Sequence, residues 1–539
     1  MGVRTIIAVA GLGLVAGCSG HPAEAQRPEA GRAPAAPAAP AAAPRALGLE
    51  LAEGMTLREK VGQLFVPTVA GTADGVAAQK RYHVGGFIYF PGNLRTPRET
   101  AALSNALQAA ARIPLLIGVD EETGPVSRAR FTTRFPGAMA LGAAGSAPLT
   151  RRAAAVTGSE LRAVGINLDF APVADVNSDP ANPVIGTRSF GSDPRRVAAL
   201  LKPSIEGFHD AGVAAVVKHF PGHGDTGTDS HTGLPVIGHS TARWEAQDAP
   251  PFRAAIAAGV DAVMTAHISV PGLDPSGVPA TMSKRVLTGL LRQKLGYDGV
   301  IITDSLQMAG ARVRGGAPEA AVRAIAAGAD QILMPPDLGS AYDAVLGAVR
   351  DGRIPAARLD EAVRHVLTLK ERRGLFGVSA AAPGAAVSTP EHRGTALDVA
   401  TASVTVVRAA GGVLPLKGGV HVAGASRVAV SAALRREGVR VISPARARTF
   451  VVVITKAGPV TARYLRGLAE RRKVVVVALG DPYLLRYTAP AQASVAVYSP
   501  QMIALRGLAR VLSGRAAPAG RLPVAVPHGP ALGTGAATF

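Results

Sequence analysis

Cysteine, aromatic residues and acidic residues are all scarce in this 539-residue chain, and each shortage excludes something. A single cysteine, Cys18, means that no disulfide forms within the chain, so stability must come from core size rather than bridges. Phe, Trp and Tyr make up only 4% of residues, and no basic run is interleaved with them, which removes the usual footprint of a nucleic-acid-binding protein. Only 38 Asp and Glu oppose 58 Lys and Arg, a formal net charge of +20. The cations look scattered along the sequence; they fit a solvated Arg-rich surface or attraction to an anionic setting such as a cell-envelope polymer. What is abundant is apolar: 48% of residues, enough for a large core and too much for a disordered chain. The length suits about two to four domains.

An apolar stretch from Thr5 to Val15 follows Arg4 and ends in Val15-Ala16-Gly17-Cys18. This resembles a bacterial lipoprotein signal over residues 1–17, cut before Cys18, whose thiol would carry a lipid. The stretch is too short to span a bilayer, and an ordinary signal peptide with an incidental cysteine is the alternative. Residues 18–47 are Ala/Pro-rich and read as a semi-extended tether. The expectation is an exported protein, held by a lipid at the outer face of the cytoplasmic membrane, and a monomer.

Between residues 48 and 375, apolar runs alternate with helical stretches. The runs are GQLFVP near Gly62, VGGFIYF, PLLIGVD, INLDFAPV, VAAVVKHF, AVMTAHI, GVIITDS and ADQILMP. Strands apolar throughout and separated by helices imply a parallel sheet covered on both faces, and about eight such units fit a closed (β/α)8 barrel. Asp120, Asp169, Lys218 with His219, His267 and Asp304 each fall at or near the C-terminal end of a different run, where a barrel builds its site. Residues 376–390 read as a linker. Residues 391–539 carry further apolar runs and predict a smaller α/β sandwich domain with a parallel sheet. That region has no GxGxxG and no phosphate-loop lysine pattern, so no nucleotide is assigned.

The segment KHFPGHGDTGTDSHTGLP, from Lys218 to Pro235, concentrates titratable groups on a glycine-rich loop. His219, His223, Asp225 and His231 are of metal-binding type, but no HExxH or HxHxDH spacing occurs and no cysteine is nearby; chelator-sensitive activity would revive that reading. Acid–base chemistry is the other reading. Asp229 stands two residues before His231, so on a turn it can hold one ring nitrogen and leave the other to exchange a proton near neutral pH. Asp304, ending a buried run, must be compensated or used. A carboxylate opposite a proton donor is the arrangement for displacement at a sugar's anomeric carbon.

GVDEETGPVSR, NPVIGTRSFG, the KHFPGHGDT…DSH segment, VMTAHI and ITDSLQM together resemble glycoside hydrolase family 3, in its β-N-acetylglucosaminidase branch. The resemblance covers nearly all of the chain after the tether. It implies that Asp304 is a nucleophile forming a covalent glycosyl intermediate with retention, and that His231 is the acid/base with Asp229 as its orienting partner. It further implies that Asp120, Arg128, Lys218 and His219 bond the hydroxyls of the terminal sugar, with Arg188 beside them and His267 beneath or facing the sugar. His223 and Asp225 are expected to shape the loop. One departure stands out: where relatives show two glycines after the acidic pair, this chain has Thr123-Gly124, and a β-branched residue tolerates a positive φ less well.

The reading is a retaining exo-glycosidase that removes terminal β-linked N-acetylglucosamine, from cell-wall fragments if the anchor sets its neighbourhood. It needs no cofactor and no metal. Because a histidine acid carries no negative charge after donating its proton, the same residues also suit a phosphorylase. A β-glucosidase of the same family is a further alternative; a non-catalytic carbohydrate-binding lipoprotein would be marked by loss of Asp304 or His231, and both are present.

Overall fold

The computed structural model describes residues 47–377, 380–381 and 387–539. The proposed signal, Cys18 and almost all of the tether lie outside the described residues, as does part of the 376–390 segment.

The eight apolar runs each form a parallel strand: β1 (Phe65–Val66), β2 (Gly86–Tyr89), β3 (Leu116–Val119), β4 (Leu168–Asp169), β5 (Ala214–Phe220), β6 (Ala262–Thr265), β7 (Val300–Ile302) and β8 (Ile332–Leu333). β2 to β7 pair in sequence order, β1 pairs β8, and single bridges at Thr68–Ile88 and Ile302–Gln331 close the ring. The result is the expected eight-stranded barrel. Its interior is packed by Ile88, Leu116, Phe170, Val216, Met264, Val300 and their neighbours, and the helix Ala356–Arg372 contributes Val366 and Leu369 to that cluster. A second layer of apolar contacts joins the outer faces of the strands to the surrounding helices. Both faces of every strand are therefore dry, which is why the sequence shows unbroken apolar runs instead of alternation.

Several connecting helices begin at side-chain caps that the sequence supplies directly. Thr96 before Pro97, Ser146 before Ala147-Pro148 and Asp193 before Pro194 each accept a backbone N–H in the first turn. The helix after β6, Arg285–Lys294, winds as a π-helix.

The C-terminal sheet has six strands: β9 (Thr405–Ala409), β10 (Gly419–Gly424), β11 (Arg440–Val441), β12 (Thr449–Ile454), β13 (Lys473–Leu479) and β14 (Ala493–Val497). Their spatial order is β9-β14-β13-β12-β10-β11. Five strands run parallel, and β9 joins the edge antiparallel to β14, a common way to finish an otherwise parallel sheet. One face of this sheet packs on Met139, Ala140 and Ala143 of the helix Ala138–Ala144, which belongs to the barrel's β3–β4 connection. Both sheets lie within one compact unit.

Candidate active site

The C-terminal ends of the barrel strands enclose a cavity of about 370 Å³. Asp120, Arg128, Arg188, Lys218, His219, His231 and Asp304 all line it, joined by Glu122, His223 and Ser230. The fold thus brings together residues drawn from well-separated strands. Asp229 pairs with His231 and is not itself part of the wall, and two further expected members, His267 and Asp169, do not reach it. His267 is fully buried, with Nε2 bonded to the carbonyl of Ser305 at 3.0 Å and Nδ1 to the hydroxyl of Thr281 at 3.0 Å. Both ring nitrogens are occupied by protein, so His267 supports the segment that follows Asp304 and does not contact a ligand directly. Asp169 is also fully buried and accepts from the backbone N–H of Glu121 at 2.9 Å; burial pushes its carboxyl well above the usual range.

One side of the cavity is a charge network. Lys218 Nζ lies 2.7 Å from Asp120 Oδ1 and 2.7 Å from Glu122 Oε1. Arg188 grips Glu122 with both arms of its fork, Nε at 2.8 Å and Nη2 at 2.7 Å. Glu122 had no role in the sequence reading, yet it is the hub. Burial opposes its charge, but Arg188 and Lys218 overcome that and hold it far below the ordinary carboxylate range. The Arg188 fork then approaches His219 Nε2 at 3.4 Å. Asp175, also missed, fixes that imidazole: Oδ2 meets His219 Nδ1 at 2.6 Å while Oδ1 accepts the backbone N–H groups of His219 and His223. A buried aspartate inside the apolar run APVADV was the available signal.

The acidic pair after β3 folds into a hairpin over residues 121–127. Glu121 turns inward and accepts from Ser127 Oγ and from the backbone N–H groups of Arg128 at 2.8 Å and Ala129 at 3.0 Å. This holds Arg128 at the rim, its guanidinium 5.7 Å from the Phe90 ring and its buried Nε without a protein partner. At the tip, Thr123 adopts φ +66° and Gly124 φ +61°. The β-branched residue therefore takes the left-handed conformation that glycine favours. Gln501, from the segment after β14, donates to the Gly124 carbonyl at 2.8 Å, so the C-terminal sheet braces the hairpin from behind.

Asp304 follows β7. Its Oδ1 accepts the N–H of Ser305 at 2.7 Å. Burial would raise its pKa, but the charges of His219, His267 and Lys218 and the Ser305 N–H together hold it below the usual value. It is a poised anion lining the cavity.

The dyad stands on the loop after β5, and His231 lines the same cavity. Asp229 Oδ1 accepts from the His231 backbone N–H at 2.9 Å and meets His231 Nδ1 at 2.7 Å. Nε2 has no protein partner among the described residues, and the side chain is 61% exposed. Burial acts on Asp229 to raise its pKa, yet its bonds to His231 keep the carboxyl below the ordinary range. His223 bonds Thr226 and Ser230 through its two nitrogens, and Asp225 pairs with His239 and Arg243, so both shape the loop as expected. Gly224 has a steric reason: a Cβ there would lie 1.7 Å from the Val176 carbonyl oxygen. Among the described residues, no group of three His, Cys, Asp or Glu side chains is arranged to hold a metal ion.

Comparison with known proteins places the barrel in a family. The glycosyl hydrolase family 3 N-terminal domain matches residues 56–369. β-Hexosaminidase A of Pseudoalteromonas piscicida is 38% identical over 373 residues, 64% of this chain and 62% of that protein. The β-N-acetylglucosaminidase/β-glucosidase of Cellulomonas fimi is 38% identical over 372 residues, 66% of this chain and 65% of that one. The chain therefore spans somewhat under two thirds of those relatives' lengths. β-Hexosaminidase LpqI of Mycobacterium tuberculosis is 37% identical over 326 residues, 58% of this chain and 82% of LpqI. The solved structure of a family 3 β-N-acetylglucosaminidase from Paenibacillus sp. superposes with a TM-score of 0.80 at 38% identity, covering 88% of this chain and 99% of that one. With the barrel, the cavity and these likenesses in hand, the chain belongs to glycosyl hydrolase family 3.

Proposed function

We propose that this protein is a retaining exo-β-N-acetylglucosaminidase that releases the sugar at the non-reducing end of a glycan. One observation carries the reading: a carboxylate held ionised and a carboxylate-oriented imidazole line the same cavity. In the proposed cycle, Asp304 Oδ attacks the anomeric carbon as the glycosidic C–O bond breaks, and His231 Nε2–H delivers its proton to the departing oxygen. The neutral imidazole then takes a proton from water, whose oxygen attacks the anomeric carbon and displaces Asp304. Asp120, Lys218, Arg188, His219 and the unpartnered Nε of Arg128 offer acceptors and donors to the hydroxyls and acetamide of the bound sugar. The names of the Pseudoalteromonas, Cellulomonas and Paenibacillus relatives support the sugar preference.

We place the catalytic unit in residues 48–375, joined through 376–390 to the bracing unit of 391–539. The expected lipid at Cys18 and a peptidoglycan-derived substrate belong to the same proposal; no helix among the described residues is long and apolar enough to cross a membrane, and an anchor would lie N-terminal to them.

The test is product analysis on aryl β-glycosides with and without phosphate. Release of N-acetylglucosamine, with Asp304→Ala inactive and an intact-mass increase of one sugar on Asp304 when the aglycone is a fast leaving group, supports the proposal. Sugar 1-phosphate as the main product in phosphate buffer reassigns the enzyme as a phosphorylase. Preference for the aryl glucoside reassigns the sugar.

A further inference from the structure

The excess positive charge is concentrated away from the catalytic cavity. Residues 391–539 hold 20 Lys and Arg against 5 Asp and Glu, which is 15 of the chain's net +20 in little more than a quarter of its length. A uniform compositional preference for arginine would have spread the excess over both sheets.

The strand order gathers these cations at one edge. β11, β10, β12 and β13 are adjacent and parallel, with Gly419 opposite Arg440, Val420 opposite Thr449, and Thr449 opposite Lys473. Arg440 opens β11, Arg446 and Arg448 enter β12, and Arg471, Arg472 and Lys473 enter β13, so six cations line the amino edge of four neighbouring strands. At strand spacing that edge is roughly 15 Å wide. All six are exposed, and none pairs with a carboxylate among the described residues. The acids nearby in sequence are Glu437, which lies 3.5 Å from Arg515, and Glu470. Arg435, Arg436 and Arg466 stand at helix C-termini, where they complement the helix dipole, and are left out of the count. The opposite, carboxyl edge of the sheet faces the barrel through Tyr483–Asn177 and Gln501–Gly124, so the basic edge points away from the proposed active site.

We propose that this amino edge is a docking surface for an anionic phospholipid bilayer. Charge complementarity selects an anion, and the layout selects a flat one. The cations spread across adjacent loops, none of the six lines the larger cavities, and none of the exposed large apolar side chains lies among them. Such a surface adheres by headgroup attraction without insertion and weakens within a Debye length. It would hold the barrel mouth away from the bilayer, and it does not depend on the glycosidase reading.

Cosedimentation of the intact chain carrying Cys18→Ser, so that no acyl group contributes, tests this. Vesicles containing 30% phosphatidylglycerol should bind it at 0.05 M salt and release it at 0.5 M, and pure phosphatidylcholine vesicles should not bind. Replacing Arg471, Arg472 and Lys473 with Gln should weaken binding about 100-fold, at about five-fold per cation. The parallel triple Arg440→Gln, Arg446→Gln, Arg448→Gln should do likewise, with melting temperature checking that each variant folds. Removing the same charge from the barrel surface (Lys80→Gln, Arg81→Gln, Arg98→Gln) should change binding less than three-fold. Equal losses in the edge and barrel variants, equal binding to neutral vesicles, or binding to soluble polyphosphate with none to anionic vesicles would each overturn the proposal.

Discussion

Glu122→Gln is the sharpest perturbation, because it changes shape hardly at all and removes the charge on which two buried cations rely. The carboxylate side chain is 4% exposed, Lys218 2% and Arg188 14%. After the change Lys218 keeps Asp120 at 2.7 Å, whereas Arg188 is left with the Val184 carbonyl at 3.2 Å and His219 Nε2 at 3.4 Å, and no carboxylate in contact. Unit charges about 4 Å apart interact by about 4 kcal/mol at the effective dielectric of a protein, and breaking one partner of a buried pair typically costs about 3–5 kcal/mol. Because Lys218 keeps one counterion, about 3 kcal/mol is the expected loss. The carboxyl is held far below its ordinary 4.5, so its contribution is fully present above that pH and fades only as pH falls toward the folded value. Measurements at pH 5 and pH 7 should therefore give the same loss. The chain's single tryptophan, Trp244, is buried against Phe220 in the barrel wall, so its fluorescence in a guanidinium titration follows the barrel. On an aryl N-acetylglucosaminide, kcat/KM should fall about 100-fold, the cost of misplacing a clamp by an ångström. The double variant with Arg188→Met should lose less than the two single losses added together. A Glu122→Gln protein with wild-type midpoint and wild-type kcat/KM would refute the hub assignment.

Three further outcomes are expected. Thr123→Gly should stabilise the barrel by about 1 kcal/mol by the same titration, since it relieves a left-handed β-branched residue; a destabilised variant counts against strain at the hairpin tip. His223 is pushed down to about 4 by burial and by the neighbouring His219 charge, so between pH 6.5 and 4 the unfolded chain binds more protons than the folded one. Stability should drop by about 3 kcal/mol through that window, and His223→Gln should flatten the slope by about one proton; an unchanged slope sinks this reading. His231→Ala should cost on the order of 10²–10⁴ in rate, most with poor leaving groups, while Asp229→Asn should cost less; equal activity on a natural glycoside would remove the dyad from the reaction.

The barrel was legible because its strands are dry on both faces, which writes eight apolar runs into the sequence with polar residues at their ends. What could not be read was which of those polar ends faces the cavity. Asp120 and Asp169 both close a strand run, yet Asp120 meets Lys218 in the cavity while Asp169 is sealed beneath Glu121. His267 likewise ends a run but spends both nitrogens on Thr281 and Ser305. Partners that lie far apart in sequence decide these orientations, and local spacing does not encode them. Glu122 and Asp175 were missed for the same reason. The basic edge differs: its residues were plain in the sequence, but they appear scattered until the strand order lays their loops side by side.

The two halves of the proposed site are built to opposite standards, and the chemistry explains why. The nucleophile must stay ionised, so Asp304 is half-buried where the charges of His219, His267 and Lys218 hold its carboxyl below the usual range. The acid/base must change its charge twice per turnover and admit water, so His231 stands exposed, its ring oriented by Asp229. Their relative position is nevertheless constrained by backbone: Gly310 N–H donates to the Ser230 carbonyl at 3.0 Å and Ala309 N–H to that of His231 at 3.4 Å. These bonds stitch the dyad loop to the segment that follows Asp304. Gly310 permits the close approach, since a Cβ there would come within 2.8 Å of the His267 carbonyl oxygen and 3.1 Å of that of Gly233. The proton donor is thereby indexed to the nucleophile by a few main-chain contacts, while its side chain remains free to exchange protons with solvent.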